Sequence, residues 1–251
     1  MPIPRLALQL YSLRQEFKTQ PPHAFESIPS LGYQRIETAG DYGWSAAEWQ
    51  EKLAANQLEV EAAHLSLNQL ENDLEATLEF QKAIGNDTVV VPALPPELRS
   101  MAAGFREAAA RFMKLALLLH QAGFRLLYHN HAFEFAELAD TDSGCGMDIL
   151  LAETDPDLVA FEFDTYWLHR GGLDAAVFLH RHANRVAMVH AKEYRALDES
   201  DTVAGEGNVD FRTIVSLAKN NDWPIVVEYE GDNAPETVKA SGEYFRNLIA
   251  Q

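Results

Sequence analysis

The second half of the chain places potential metal-binding side chains at the ends of four short apolar runs. These side chains are His129 or His131, Asp164, His190 and Glu228. From His129 the successive steps are 35, 26 and 38 residues, each close to the length of one strand–helix unit. Continuous apolar runs are typical of buried parallel strands, and an ionisable group at the end of such a strand needs a partner. One divalent cation shared by all four groups would be that partner.

The types of these side chains narrow the choice of ion. Two carboxylates combined with one or two imidazoles suit Mn²⁺, Zn²⁺ or Co²⁺. Mg²⁺ is less suited, because it prefers an all-oxygen set of ligands. The sequence therefore predicts one divalent ion of the first group.

Further polar and aromatic residues at predicted strand ends are candidates for contact with a substrate. Glu37 and His64 could bind polyol hydroxyls, although either is equally typical of a hydrogen-bonded structural group. Trp167 could stack on the C–H face of a sugar, or simply pack in the core. Lys192 alternates with His190 along its strand, which turns both side chains inward, so it could hold a substrate oxygen or a carboxylate. A solvated lysine at the rim is the alternative.

Elements that would position these residues alternate regularly between strand and helix. Eight candidate strands cover 6–13, 35–40, 59–66, 88–94, 125–131, 158–167, 185–194 and 224–232. Eight helical patterns cover 22–31, 45–56, 68–84, 98–122, 145–153, 173–183, 210–221 and 235–249. Such alternation predicts a parallel sheet, and eight repeats favour a closed barrel. We expect an α/β fold, with a single (β/α)8 TIM barrel domain over residues 1–251.

Composition excludes several classes of partner. A formal charge of -18 and an isoelectric point near 4.8 oppose binding to a nucleic acid or to an anionic membrane. No apolar stretch approaches the roughly 18 residues that span a bilayer, and the first residues do not resemble a signal peptide. With Cys145 as its one cysteine, the chain can form no internal disulfide. These features predict a cytoplasmic protein without nucleic-acid or membrane partners.

Five segments of the chain carry a family resemblance. They are YHNHAFEF (128–135), FEFDTYWLHRGGLD (161–174), VHAKEY (189–194), GEGNVDF (205–211) and IVVEYEGD (225–232). With them the chain resembles the sugar phosphate isomerase/epimerase family of xylose isomerase-like TIM barrels. The resemblance extends over the whole chain and is most specific from residue 125 onward.

The resemblance implies a metal held by Glu, Asp, His and Glu from the fifth to the eighth strand. Asp164, His190 and Glu228 match three of these ligands by position. The fifth-strand glutamate is absent, because His129 and His131 stand where the family has Glu-Asn-His. His129 is the favoured replacement and His131 would contact the substrate or support the ligands; the opposite assignment remains open.

Activity is also implied by the resemblance. The metal would activate a C–H bond next to a carbonyl of a small, non-phosphorylated carbohydrate, with Glu228 as the leading base. His129 and Lys192 are the other predicted catalytic residues. The expected enzyme is an isomerase or epimerase, and the alternative is a lyase or dehydratase of a keto-sugar, keto-glycoside or keto-inositol. A sugar-binding barrel without catalysis is a third hypothesis, and a homo-oligomer is expected by resemblance.

Overall fold

Parallel strands close into a barrel in the computed structural model, which describes residues 3–138, 140 and 144–251. Within these residues each strand pairs with its neighbours in sequence, and the last pairs with the first. The strands are β1 Leu6–Gln9, β2 Arg35–Thr38, β3 Glu59–His64, β4 Thr88–Val91, β5 Arg125–His129, β6 Val159–Asp164, β7 Val186–Ala191 and β8 Ile225–Val227. The prediction of a (β/α)8 TIM barrel is confirmed.

Helices surround the barrel and pack on its outer face. The α-helices are α1 Arg14–Thr19, α2 Pro21–Ser27, α3 Ala46–Asn56, α4 Leu67–Asn72, α5 Leu74–Ala83, α6 Ala102–Gln121, α7 Gly146–Glu153, α8 Thr165–Arg170, α9 Ala175–Arg181, α10 Phe211–Asn221 and α11 Ala234–Ile249. Short 3-10 helices cover Leu10–Leu13, Ile28–Leu31, Pro96–Leu98 and Phe133–Phe135. None of the helices described is long and apolar enough to cross a membrane.

The interior of the barrel is divided into an apolar layer and a polar layer above it. The apolar layer consists of Ala7, Ala62, Val90, Leu127, Met188 and Val226. On five of these strands a polar residue follows two positions later, namely Gln9, His64, His129, His190 and Glu228. Because side chains alternate along a strand, both members of each such pair point inward. The alternation therefore brings polar groups from distant parts of the sequence together at the carboxyl ends of the strands.

Several strands end earlier than predicted. The predicted first strand, 6–13, becomes a 3-10 helix after Gln9, and the sixth, 158–167, becomes α8 after Asp164. In both cases the last strand residue caps the following helix: the Gln9 side chain accepts a hydrogen bond from the Tyr11 amide, and that of Asp164 from the Trp167 amide. Capping satisfies an amide that the helix leaves without a partner and outweighs the strand preference of the residues that follow.

Three predicted helices also have different bounds. The segment 68–84 forms two helices, α4 and α5, because Asp73 between them leaves the helical region with φ -144°. The segment 22–31 is α2 followed by a 3-10 turn, and α1 precedes it. The helix predicted at 98–122 begins at Ala102, whose amide donates to the Asp140 carboxylate.

Candidate metal centre

Three of the four predicted ligands meet above the apolar layer, and we call Asp164, His190 and Glu228 the upper group. The His190 Nδ1 atom lies 3.7 Å from Asp164 Oδ2 and 3.5 Å from Glu228 Oε2. Ligand atoms bound to one ion at about 2.0–2.2 Å have separations of this order. Among the described residues His190 Nδ1 and Asp164 Oδ2 are buried without a hydrogen-bond partner. Two unpartnered atoms facing a common point fit a divalent ion with one nitrogen and two oxygen ligands.

Asp164 has a different task for each of its carboxylate oxygens. Its Oδ1 accepts the Trp167 amide at 2.8 Å and so begins α8, while Oδ2 faces the upper group. The Asp164 amide donates to the Asn130 side-chain oxygen at 3.0 Å, and the Thr165 hydroxyl bonds the end of β7 at the His190 carbonyl. These contacts explain why the segments YHNH and DTYW surround the site.

His190 is oriented by a buried carboxylate on its far side. Its Nε2 atom lies 2.6 Å from Glu37 Oε2, and Glu37 in turn accepts a hydrogen bond of 2.7 Å from the Gln9 amide group. Metal-binding histidines commonly donate their second N–H to a carboxylate, which fixes the ring and its tautomer. Glu37, predicted to contact substrate, therefore lies beneath His190 and is fully buried.

The charge on His190 would make metal binding at the upper group dependent on pH. Burial disfavours the charged imidazole, but the carboxylates of Glu162 and Glu37 outweigh burial and raise the pKa of His190 well above its ordinary value. A ligand imidazole must be neutral, so metal uptake displaces this proton. We expect the affinity for Zn²⁺ to rise between about pH 6 and about pH 8, by about tenfold per unit for one proton. Calorimetric titration in buffers of different ionisation enthalpy measures the released proton; equal affinity at both pH values would contradict the expectation.

His129 lies with a second set of ligands, which we call the lower group: His64, His129 and Glu162. The Glu162 Oε2 atom is 3.0 Å from His129 Nδ1 and 3.0 Å from His64 Nε2. Potential ligand atoms of these residues and of His190 all lie within 4.8 Å of one another. The structure therefore brings His129 close to His190. His129 belongs to the lower group, whereas Asp164 and Glu228 belong to the upper group. Binding of the predicted ion by His129 remains a prediction.

Lys192 is buried beside Glu228. Its Nζ atom lies 3.5 Å from Glu228 Oε2, contacts Glu230 Oε1 more closely, and lies 5.4 Å from the centre of the Trp167 ring. Burial alone would raise the pKa of Glu228, but Lys192 and then His190 outweigh burial and hold it well below its ordinary value. Glu228 is consequently ionised at neutral pH.

A cavity of about 470 Å³ opens above these groups. Its wall includes Tyr11, Glu230 and five of the predicted site residues, which are His64, His129, His131, Trp167 and Glu228. The rings of His131 and Trp167 are 5.0 Å apart, and burial lowers the pKa of His131 to about 4, so this imidazole is neutral. A cavity of about 710 Å³ lies at the opposite end of the strands, beside Arg5 and Glu59, away from the candidate ligands.

Four residues of the site were not predicted from the sequence. Glu162 stands two positions before Asp164 and faces the same interior, a signal that strand alternation could have provided. Asn130 and Glu134 hold the turn after β5, since Glu134 accepts the His131 amide at 2.9 Å. Glu193 accepts the amides of residues 194, 205 and 209, and so fixes the GEGNVDF segment.

Known proteins resemble this chain in sequence or in structure. A family model described as xylose isomerase-like TIM barrel matches residues 25–248. An inosose dehydratase from Geobacillus kaustophilus HTA426 is 32% identical over 159 residues, 54% of this chain and 50% of that protein. This chain thus spans about half the length of the curated relatives it matches.

Solved structures share the fold over almost the whole chain. A sugar phosphate isomerase/epimerase from Parabacteroides distasonis ATCC 8503 has a TM-score of 0.83 and 22% identity, covering 97% of this chain and 94% of that one. The IOLI protein, solved with a zinc atom, has a TM-score of 0.73 and 14% identity, covering 97% and 98%.

Proposed function

Because this chain belongs to the xylose isomerase-like TIM barrel family, we propose that it is a metal-dependent lyase that dehydrates a keto-inositol or a related keto-sugar. The similarity to inosose dehydratase carries this choice, since it favours the dehydratase alternative over the isomerase or epimerase expected first. The family resemblance seen in the sequence is confirmed. The cytoplasmic location and the homo-oligomer stay predictions.

The cavity supports a neutral carbohydrate as substrate. Glu228 and Glu230 are among its lining residues, and no arginine or lysine is found among the described ones. Such a wall repels a phosphate group and favours hydroxyls, which carboxylates accept as hydrogen bonds. Tyr11 and Trp167 add aromatic faces on which the C–H side of a ring can pack.

The upper group offers the ligands for the proposed metal ion. Asp164, His190 and Glu228 would hold the ion, and the zinc atom of the IOLI protein supports a divalent metal in a barrel of this shape. When bound, such an ion polarises a carbonyl and its neighbouring hydroxyl, and so lowers the pKa of the C–H bond between them. The physiological ion among Zn²⁺, Mn²⁺ and Co²⁺ is left to experiment.

The chain's own residues then move the protons. Ionised Glu228 takes the proton from the carbon next to the carbonyl, and a C=C bond forms as the β-hydroxyl leaves. Burial would lower the pKa of Lys192, but Glu228 and the other carboxylates around it outweigh burial and raise this pKa, so the ammonium keeps its proton and stabilises the charges of Glu228 and Glu230. The proton that Glu228 takes from carbon then passes to the departing β-hydroxyl, which leaves as water, and the site returns to its starting charge.

The product of a keto-inositol distinguishes the two candidate reactions. In ²H₂O with Mn²⁺, Zn²⁺ or Co²⁺ we expect a product that has lost one water from the keto-inositol. Mass spectrometry measures this loss, and the absorbance of the conjugated ketone follows the formation of the product. Asp198→Asn, which changes an exposed loop carboxylate, serves as the matched control and should retain turnover. Uptake of deuterium on carbon without loss of water would instead identify an isomerase or epimerase.

A further inference from the structure

The lower group has the composition of a metal site in its own right. It combines two imidazoles with a carboxylate, and Glu37 lies at its edge with Oε2 3.4 Å from His64 Nε2. We propose that His64, His129 and Glu162 bind a second divalent metal ion, of the Zn²⁺, Mn²⁺ or Co²⁺ class, beside the ion of the upper group. This inference concerns a site that the proposed dehydration does not require.

The distances within the lower group are close to those of ligands around one ion. Glu162 Oε2 is 3.0 Å from each of His64 Nε2 and His129 Nδ1, a hydrogen-bond distance. Tetrahedral ligands at about 2.0–2.2 Å from an ion are roughly 0.3–0.6 Å further apart than this, so an ion would need these side chains to separate only slightly. The three come from β3, β5 and β6, so the barrel wall rather than a flexible loop fixes their positions. A site built on strands needs little rearrangement to bind.

The charges of the lower group favour a cation. Glu37 and Glu162 are both fully buried, and their Oε2 atoms approach the same His190 Nε2, at 2.6 and 3.3 Å. Their other oxygens, Glu37 Oε1 and Glu162 Oε1, are buried without a hydrogen-bond partner among the described residues. His64 and His190 lie against the Oε2 atoms and offset part of this negative charge. A divalent ion held at Glu162 Oε2 would add positive charge beside both carboxylates.

Both ions can be held at once because His190 presents its two nitrogens to different sides. Nδ1 faces Asp164 and Glu228 of the upper group, whereas Nε2 bonds Glu37 and is not needed as a lower ligand. His64 and His129 also line the cavity, so the second ion would be open to a substrate oxygen. Two neighbouring ions could clamp adjacent oxygens of one polyol.

Metal content after saturation and desalting tests the second site. We expect about two Zn²⁺ ions per wild-type chain by mass spectrometry, and about one in each of Glu162→Gln and Asp164→Asn. The Asp164 variant is the matched control, because it loses a carboxylate charge of the upper group and keeps an oxygen that can cap α8. Glu59→Gln, an exposed change on β3, should retain both ions.

Two results would overturn the proposal. Wild-type protein that takes up a single ion, with the same amount in Glu162→Gln, places no metal in the lower group. A single ion that is lost in Glu162→Gln and kept in Asp164→Asn would place the only metal in the lower group. If Glu162→Gln fails to fold, anomalous scattering at the zinc edge from wild-type crystals decides by showing one peak or two. Neither readout depends on turnover, so dehydration and the second site stand or fall separately.

Discussion

Asp164→Ala/His190→Ala protein is expected to lose about one divalent metal ion per chain relative to the wild type. These substitutions remove the two ligand atoms that are buried without partners, Oδ2 of Asp164 and Nδ1 of His190. Changing a residue that merely supports a ligand typically weakens metal affinity by 10–100-fold, so loss of two ligands should exceed about 100-fold. Metal analysis by mass spectrometry after desalting, with calorimetric titration of Mn²⁺ and Zn²⁺, measures the effect.

The control must separate loss of ligands from loss of structure. Asp198→Ala/His180→Ala removes the same two residue types from exposed positions and should keep the wild-type metal content. Asp164→Ala also removes the cap of α8, which costs about 1 kcal/mol, whereas Asp164→Asn retains an oxygen for that cap. Comparable thermal unfolding of the two Asp164 variants would assign the lost metal to the ligand itself.

Absence of metal from the wild type has a definite meaning. If the wild-type chain takes up neither Mn²⁺ nor Zn²⁺ when these are added, proton abstraction assisted by a metal is contradicted. A sugar-binding barrel without catalysis would then be the better hypothesis. The cavity walls of Tyr11 and Trp167 would still suit a carbohydrate ring in that case.

The barrel itself could be predicted because its signals are local and repeat. Each strand is a short apolar run, and parallel strands must place their carboxyl ends at one face. The convergence of Asp164, His190 and Glu228 follows from this rule alone, without knowledge of any loop. The rule does not say which inward side chains contact one another, which is why it could not separate the upper group from the lower group.

Other features depend on contacts that a strand pattern does not encode. Thr165, Tyr166 and Trp167 have side chains typical of strands, yet they form α8 because the Asp164 carboxylate caps the Trp167 amide. Glu162 stands between two phenylalanines in an apolar run, and its role appears only when β3 and β5 bring His64 and His129 to it. Glu193 acts on backbone amides of a distant loop, whose path no periodicity predicts.

Glu228→Gln is expected to reduce turnover of the keto-inositol by about 10²–10⁴-fold, the usual contribution of a general base. Glutamine keeps an oxygen in the upper group but cannot take a proton from carbon. It also removes the charge that Lys192 and His190 stabilise, so the transfer of the proton from carbon to the departing oxygen is interrupted at its first step. Substrate binding should change much less than turnover, because glutamine has nearly the same size and shape as the glutamate that it replaces in the cavity wall.

Three measurements on Glu228→Gln separate the roles assigned to this residue. Initial rates of dehydration report the base, calorimetric titration with the keto-inositol reports binding, and mass spectrometry reports metal content. Glu206→Gln, an exposed change of the same type, should match the wild type in all three. Turnover that survives in Glu228→Gln with metal retained would assign proton abstraction to another cavity residue, with His129 the next candidate. Turnover lost together with the metal would instead make Glu228 essential as a ligand, because a carboxamide oxygen binds a divalent ion more weakly than a carboxylate does.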